Sequence, residues 1–187
     1  MKNIYNKTHL VHLLILIAFL FCSSRANAQD INSKKGYDTQ IGVMVYMLEN
    51  LKSDVISSTR GLNQSETDYQ FDEQANSIGA IVLHLAAVEV GYQKSSFREN
   101  ILNEYEKEEQ DILEMSLDLD KTKEILKEKP IKYYLDIYKK VRKNTLKEFK
   151  NRNDDWWTKD NHWSWFHVME HQAHHLGQIK LILQRLP

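Results

Sequence analysis

Along most of this chain, apolar residues recur with the 3.6-residue period of amphipathic helices. No stretch alternates cleanly with the period of two expected of a half-buried strand. The first stripe, Tyr37, Ile41, Met44, Val45, Leu48, Leu51 and Val55, predicts a helix over about 37–58 with one core-facing side. Gly61 ends it, and residues 62–76 read as a polar connection pinned by Tyr69 and Phe71. Ser77 is placed to cap a second helix, because its hydroxyl can accept from a free first-turn N–H, and that helix continues to about Gln93. Residues 99–120 carry nine acids and one base, Lys107, among scattered Ile, Leu and Tyr, which predicts a solvated helical excursion. Pro130 fits the first position of a third helix, where its missing N–H costs nothing. Ile131, Tyr134, Leu135, Tyr138, Thr145 and Phe149 form the inner face of that helix. Asn153-Asp154-Asp155 breaks it, and a last helix runs from near Asn161 to about Leu186. The expected architecture is an all-α four-helix bundle with an acidic helical excursion between the second and third helices.

The first thirty residues fall outside this pattern. Lys2 and Lys7 precede a ten-residue apolar run, Leu13 to Cys22, and Ala26-Asn27-Ala28 then gives the small-x-small pattern of a leader cleavage site. Residues 1–28 are therefore expected to be a signal peptide and residues 29–187 a single exported domain, periplasmic or extracellular. The apolar run is short of the roughly 20 residues that a spanning helix needs, so no stable membrane insertion is expected after cleavage. Intact-mass measurement on protein from its native host is expected to find a chain starting at or near Gln29 outside the cytoplasm. A full-length cytoplasmic species would contradict this. Loss of Lys2, Lys7 and Arg25 leaves 22 basic against 26 acidic residues, which gives no electrostatic footprint for nucleic acid or an anionic membrane. The single cysteine, Cys22, leaves with the leader, which excludes a disulfide, a thiolate nucleophile or a Cys-rich zinc knuckle from the domain. A homodimer stays open.

Six histidines remain, five of them in the last helix. With His171 as the reference direction, His175, Val168, Ile179, Ile182 and Leu186 fall within about 80° of it, which predicts that His171 and His175 face the core. Their i, i+4 spacing puts the two rings on adjacent turns, close enough to share an ion. His174 and His162 turn away from that side, and His167 sits at its edge as a supporting group or an extra ligand. On the second helix, His84 lies among Ala80, Ile81, Val88 and Gly91. A lone buried histidine is most simply satisfied by a carbonyl or a carboxylate. Three convergent neutral imidazoles are hard to satisfy with one another, whereas one divalent cation satisfies all three. Three imidazoles suit Zn, Ni or Fe about equally.

The segments NSIGAIVLHLAAVEVGYQ, KEKPIKYYLDIYKKVRKNTL and WSWFHVMEHQAHHLGQIKLILQRL resemble the DinB-like superfamily of bacterial metal-binding four-helix bundles. The last segment is similar to that superfamily's H-x-x-x-H-x-x-x-H-x-G-Q signature, here His167, His171, His175, Gly177 and Gln178. The resemblance implies the ligand set His84, His171 and His175, with His167 and Gln178 beside it. It also implies a small-molecule substrate, since members include thiol-dependent transferases and isomerases. Its name comes from DNA-damage induction and implies no DNA contact. Leu176 stands where similar sequences often carry arginine.

Three protein ligands leave positions open for chemistry, either transfer involving a small thiol or hydrolysis by activated water. Export favours hydrolysis, because reduced small thiols are mostly cytosolic. Arg142 lies on the inner stripe of the third helix and needs an anion there: a substrate group, or an internal acid such as Glu49 or Glu89. His167 to His171 also spells the H-x-x-E-H of inverzincin proteases, but helical geometry turns Glu170 about 100° away from His171. The alternative to an enzyme is a non-catalytic bundle braced by a structural metal or a histidine cluster.

Overall fold

The computed structural model describes residues 32–187. The expected signal peptide, residues 1–28, lies outside the described residues. Four helices of 19 residues or more carry the fold: α1 (Thr39–Thr59), α3 (Ile78–Ser96), α6 (Ile131–Lys150) and α7 (Lys159–Leu183). Short helices occupy the connections: α2 (Gln64–Thr67), α4 (Lys107–Met115) and α5 (Leu119–Ile125), with 3₁₀ turns at Glu99–Glu104 and Asp154–Trp156. No strand occurs among the described residues. No described helix is long and apolar enough to cross a membrane.

The helix starts follow local chemistry. Ser77 accepts from Ala80 N–H at the head of α3, and Thr158 accepts from Asn161 N–H at the head of α7. Pro130 is the residue before α6 rather than its first helical residue, with ψ 149°. It fixes the entry to the helix without sacrificing a hydrogen bond in either position. The stretch 62–76, expected as a plain connection, contains α2, closed by a reciprocal capping box between Asn63 and Glu66.

Helix α3 packs against both α6 and α7, α1 packs against α7, and α6 closes the ring against α1. Helix α3 is therefore the most enclosed, with Ile78 to Ala87 buried without interruption. All six inner residues expected of α6 are buried. A second, aromatic cluster joins Phe149, Trp165, Phe97 and Trp156 with ring centroids 4.7–6.0 Å apart. The acidic excursion is not one helix: Glu106 with Glu109, and Asp118, cap two separate short ones. Its apolar residues Ile101, Tyr105, Ile112 and Leu113 are buried, and it packs on α3 while its charges stay in water.

The buried side of α7 is rotated from the expected one. Trp165, Val168, Gln172, His175, Leu176, Ile179 and Ile182 are its buried residues, so His171 stands at the rim and is only partly covered. The reason is Gln172, a polar residue that belongs to the core because α3 and α6 supply its partners. Its amide donates to Glu89 at 2.8 Å, and its oxygen accepts from Arg142 at 2.9 Å.

Arg142 is completely buried and bonds to every long helix outside its own. Its Nε and Nη2 donate to the two oxygens of Glu89, each at 2.7 Å, and its Nη1 donates to the Leu48 carbonyl. Burial works against the guanidinium charge, but the Glu89 carboxylate outweighs it and pushes the pKa above its ordinary value. Thr145 also donates to Glu89, and Gln93 donates to Thr145 at 2.7 Å. The anion that Arg142 requires is thus internal. With no exposed surface, the guanidinium is not available to a substrate group.

Candidate metal centre

Three helical positions converge where α3 meets the rim of α7. Nε2 of His171 lies 3.2 Å from Nε2 of His84 and 3.1 Å from Nε2 of His175. The three residues form a group whose ligand atoms all lie within 4.8 Å of one another. His84 enters from α3, while His171 and His175 stack one turn apart on α7, with ring centroids 4.4 Å apart.

The hydrogen bonds on the far side of the rings decide what those Nε2 atoms carry. His84 Nδ1 lies 2.8 Å from the Ser116 carbonyl, which can only accept, so the ring hydrogen is on Nδ1 and Nε2 presents a lone pair. His175 Nδ1 donates to Gln178 Oε1 at 2.8 Å, with the same result. The Gln178 amide can in turn donate to His174 Nε2 at 3.2 Å, which orients its oxygen toward His175. His171 Nε2 therefore sits between two lone pairs. A single hydrogen there could serve one of the two contacts and would leave the other as an unfavourable approach of electron pairs.

A proton does not resolve this near neutrality. Burial, reinforced by the neighbouring imidazoles, pushes His171 down to about 3, and burial pushes His175 down to about 4. Burial lowers His84 as well, against the opposing bond to Ser116. A divalent cation does resolve it. Tetrahedral nitrogen ligands about 2.0–2.1 Å from an ion lie about 3.3–3.4 Å from one another, close to the two spacings seen here. The donor set thus fits a metal, with Ser116 and Gln178 fixing the tautomers of two of its ligands. His171 Nδ1 is buried without a hydrogen-bond partner, which makes it the least supported of the three.

Other residues singled out by the sequence stand apart. His167 is 6.1 Å from His171 between ring centroids and stacks in parallel on Trp163, against Tyr92 of α3. Glu170 is exposed and lies 3.7 Å from His167 Nδ1, pointing away from the centre. His162 and His174 are exposed. Sequence reasoning did not anticipate the Ser116 carbonyl, and a backbone acceptor leaves no residue-type signal.

An all-α bundle with three histidines gathered from two helices defines the class as a DinB-like metal-binding protein. Within that class, residues 43–186 match the family model of the mycothiol-S-transferases, and the chain belongs to that family. No curated protein matches the chain.

Two expectations follow from the geometry. His162→Ala and His174→Ala are expected to leave metal stoichiometry unchanged. His174→Ala should lose less than about tenfold in affinity, because it meets the centre only through a bond to Gln178 and an edge contact with the His175 ring, supplying no ligand atom. Metal analysis of the purified variants checks this, and loss of the ion in His174→Ala would overturn the ligand assignment.

The second concerns pH. His171 and His175 have folded-state values well below the 6.5 of an exposed histidine, so on acidification the unfolded chain takes up protons first. Their contribution to metal-free stability is complete above pH 6.5 and is lost as pH falls from there toward about 4 for His175 and about 3 for His171. Melting of chelator-treated wild type against His171→Asn across pH 4–8 checks it. The gap between the two should change below pH 6.5 and stay constant above.

Proposed function

We propose that the protein is a metal-dependent transferase that uses a small thiol, with His84, His171 and His175 holding one divalent ion. The observation that carries this reading is the convergence of three Nε2 atoms, two of them held as lone pairs by Ser116 and Gln178. Family membership supports thiol transfer over hydrolysis, against the weight that the expected export gave to hydrolysis. The second substrate is a small molecule with an electrophilic carbon. The transfer forms a sulfur–carbon bond and breaks the bond from that carbon to its leaving group. The leaving group departs with the electron pair, and the thiol proton passes to solvent.

A divalent ion bound here would supply the Lewis acidity that keeps a thiol in its nucleophilic, deprotonated form near neutral pH. The chain's own residues do the rest. Ser116 and Gln178 aim the lone pairs of His84 and His175, and burial keeps all three imidazoles unprotonated. Three protein donors leave room for substrate at the exposed rim beside His171. The Arg142, Glu89 and Gln172 network ties α3, α6 and α7 together and so sets the spacing between the helices that carry the ligands. That network, with the apolar core, braces the bundle without a metal, which argues against a purely structural ion.

Cobalt(II)-substituted protein titrated with 2-mercaptoethanol tests the proposal. A sulfur-to-cobalt charge-transfer band is expected in wild type and should be absent in His171→Ala. Bound cobalt that gives no band at saturating thiol would favour the brace over the enzyme.

A further inference from the structure

We propose that a cavity between α3 and the acidic excursion receives the apolar body of the molecule whose polar end reaches the histidine centre. This rests on the reading of that centre as a metal site. The cavity measures about 340 Å³ and is lined by Ala87, Val90 and Gly91 of α3 and by Leu102, Leu113 and Leu117 of the excursion. Its two charged neighbours, Lys94 and Glu114, are exposed and of opposite sign, so they present no net charge to a ligand.

Each wall of the cavity is joined along the chain to a group of the histidine centre. On α3, Ala87 follows His84 by one turn, and Gly91 follows by two turns on nearly the same bearing, about 10 Å along the helix. On the excursion, Leu117 directly follows Ser116, whose carbonyl accepts from His84. The other side of His84 faces α7, where Tyr92 meets His167 and Trp163. The cavity therefore lies beside His84 on the side of the excursion.

Its size and lining define the occupant. At roughly 30 Å³ per water-sized unit it holds on the order of ten non-hydrogen atoms, the scale of a short alkyl chain or a single aryl ring. The excursion's acid-rich exterior disfavours an anionic body and leaves an uncharged aliphatic or aromatic group as the fit. Leu117, 54% exposed in this wall, is a large apolar side chain that such a group would cover. The excursion, already packed on α3, thereby acquires a role as the second wall of a substrate cleft.

A chain-length series tests the inference: ethanethiol, 1-butanethiol and 1-hexanethiol binding to the cobalt(II)-substituted protein, read by the charge-transfer band and by total metal. Affinity is expected to rise about fourfold per added methylene, as for transfer of each CH₂ out of water. Gly91→Leu should fold and keep its metal, because a Cβ at Gly91 meets nothing within 4 Å, yet it should flatten the series by filling the cavity. Leu117→Ser removes apolar surface at an exposed position and should lower the slope without altering metal content. A flat series in metal-loaded wild type overturns the cavity assignment alone. A slope retained in both variants overturns it too, by placing the apolar body elsewhere. Wild type that holds no metal overturns the underlying reading and this inference with it.

Discussion

Arg142→Ala is expected to destabilise the protein by about 3–5 kcal/mol, the range for breaking a fully buried ion pair from one side. The loss exceeds that of a surface pair because Glu89 would be left as a charge with no exposed surface, keeping only the hydrogen bonds from Thr145 and Gln172. Leu48 O and Gln172 Oε1 would lose donors at the same time. By contrast, the double replacement Arg142→Met with Glu89→Leu removes both charges and should recover most of the loss, since well-packed apolar residues often match a buried pair. Urea denaturation of metal-free wild type, single and double variants measures both effects. A loss under about 1 kcal/mol for Arg142→Ala would show that the network contributes no more than an exposed pair.

Removing any one of His84, His171 or His175 is expected to weaken metal binding more than about 100-fold, beyond the range seen for groups that merely support a ligand. An ion at 100 times its dissociation constant stabilises the native state by about 2.7 kcal/mol. For a domain of this size that is a rise of about 5–10 °C in melting temperature, and each alanine variant should lose it. The bundle itself should survive, because its core of Ile, Leu, Val and aromatic side chains lies in two clusters that do not require the ion. Gln178→Ala should fall between these variants and wild type, since it frees the His175 tautomer without removing a donor. Metal stoichiometry and melting with added metal distinguish the cases.

Much of the fold was legible in the sequence because the period of apolar residues is a local property. Ser77 as a cap, the inner face of α6 and the excursion between α3 and α6 could all be read that way. The triad of histidines was legible for the same reason: His171 and His175 recur at helical spacing, and His84 lies in an apolar stretch. What escaped depends on partners distant in sequence. Gln172 looks like a surface residue until Glu89 and Arg142 are placed beside it, 83 and 30 residues away. Missing it moved the expected centre of the buried side of α7 onto His171, which is at the rim. The carbonyl of Ser116, 32 residues from His84, carries no side-chain signal at all. The breaks within the excursion did have a local signal, the acidic pairs at Glu106 and Glu109, but it was hidden in a run of like charges.

The most direct measurement is the metal content of wild-type protein purified without chelator, paired with its melting temperature before and after chelation. About one divalent ion per chain, and a melting temperature that drops on chelation and returns with added metal, is the expected result. No bound metal, together with identical melting in the presence and absence of chelator, would mean that His84, His171 and His175 form a hydrogen-bonded cluster and hold no ion.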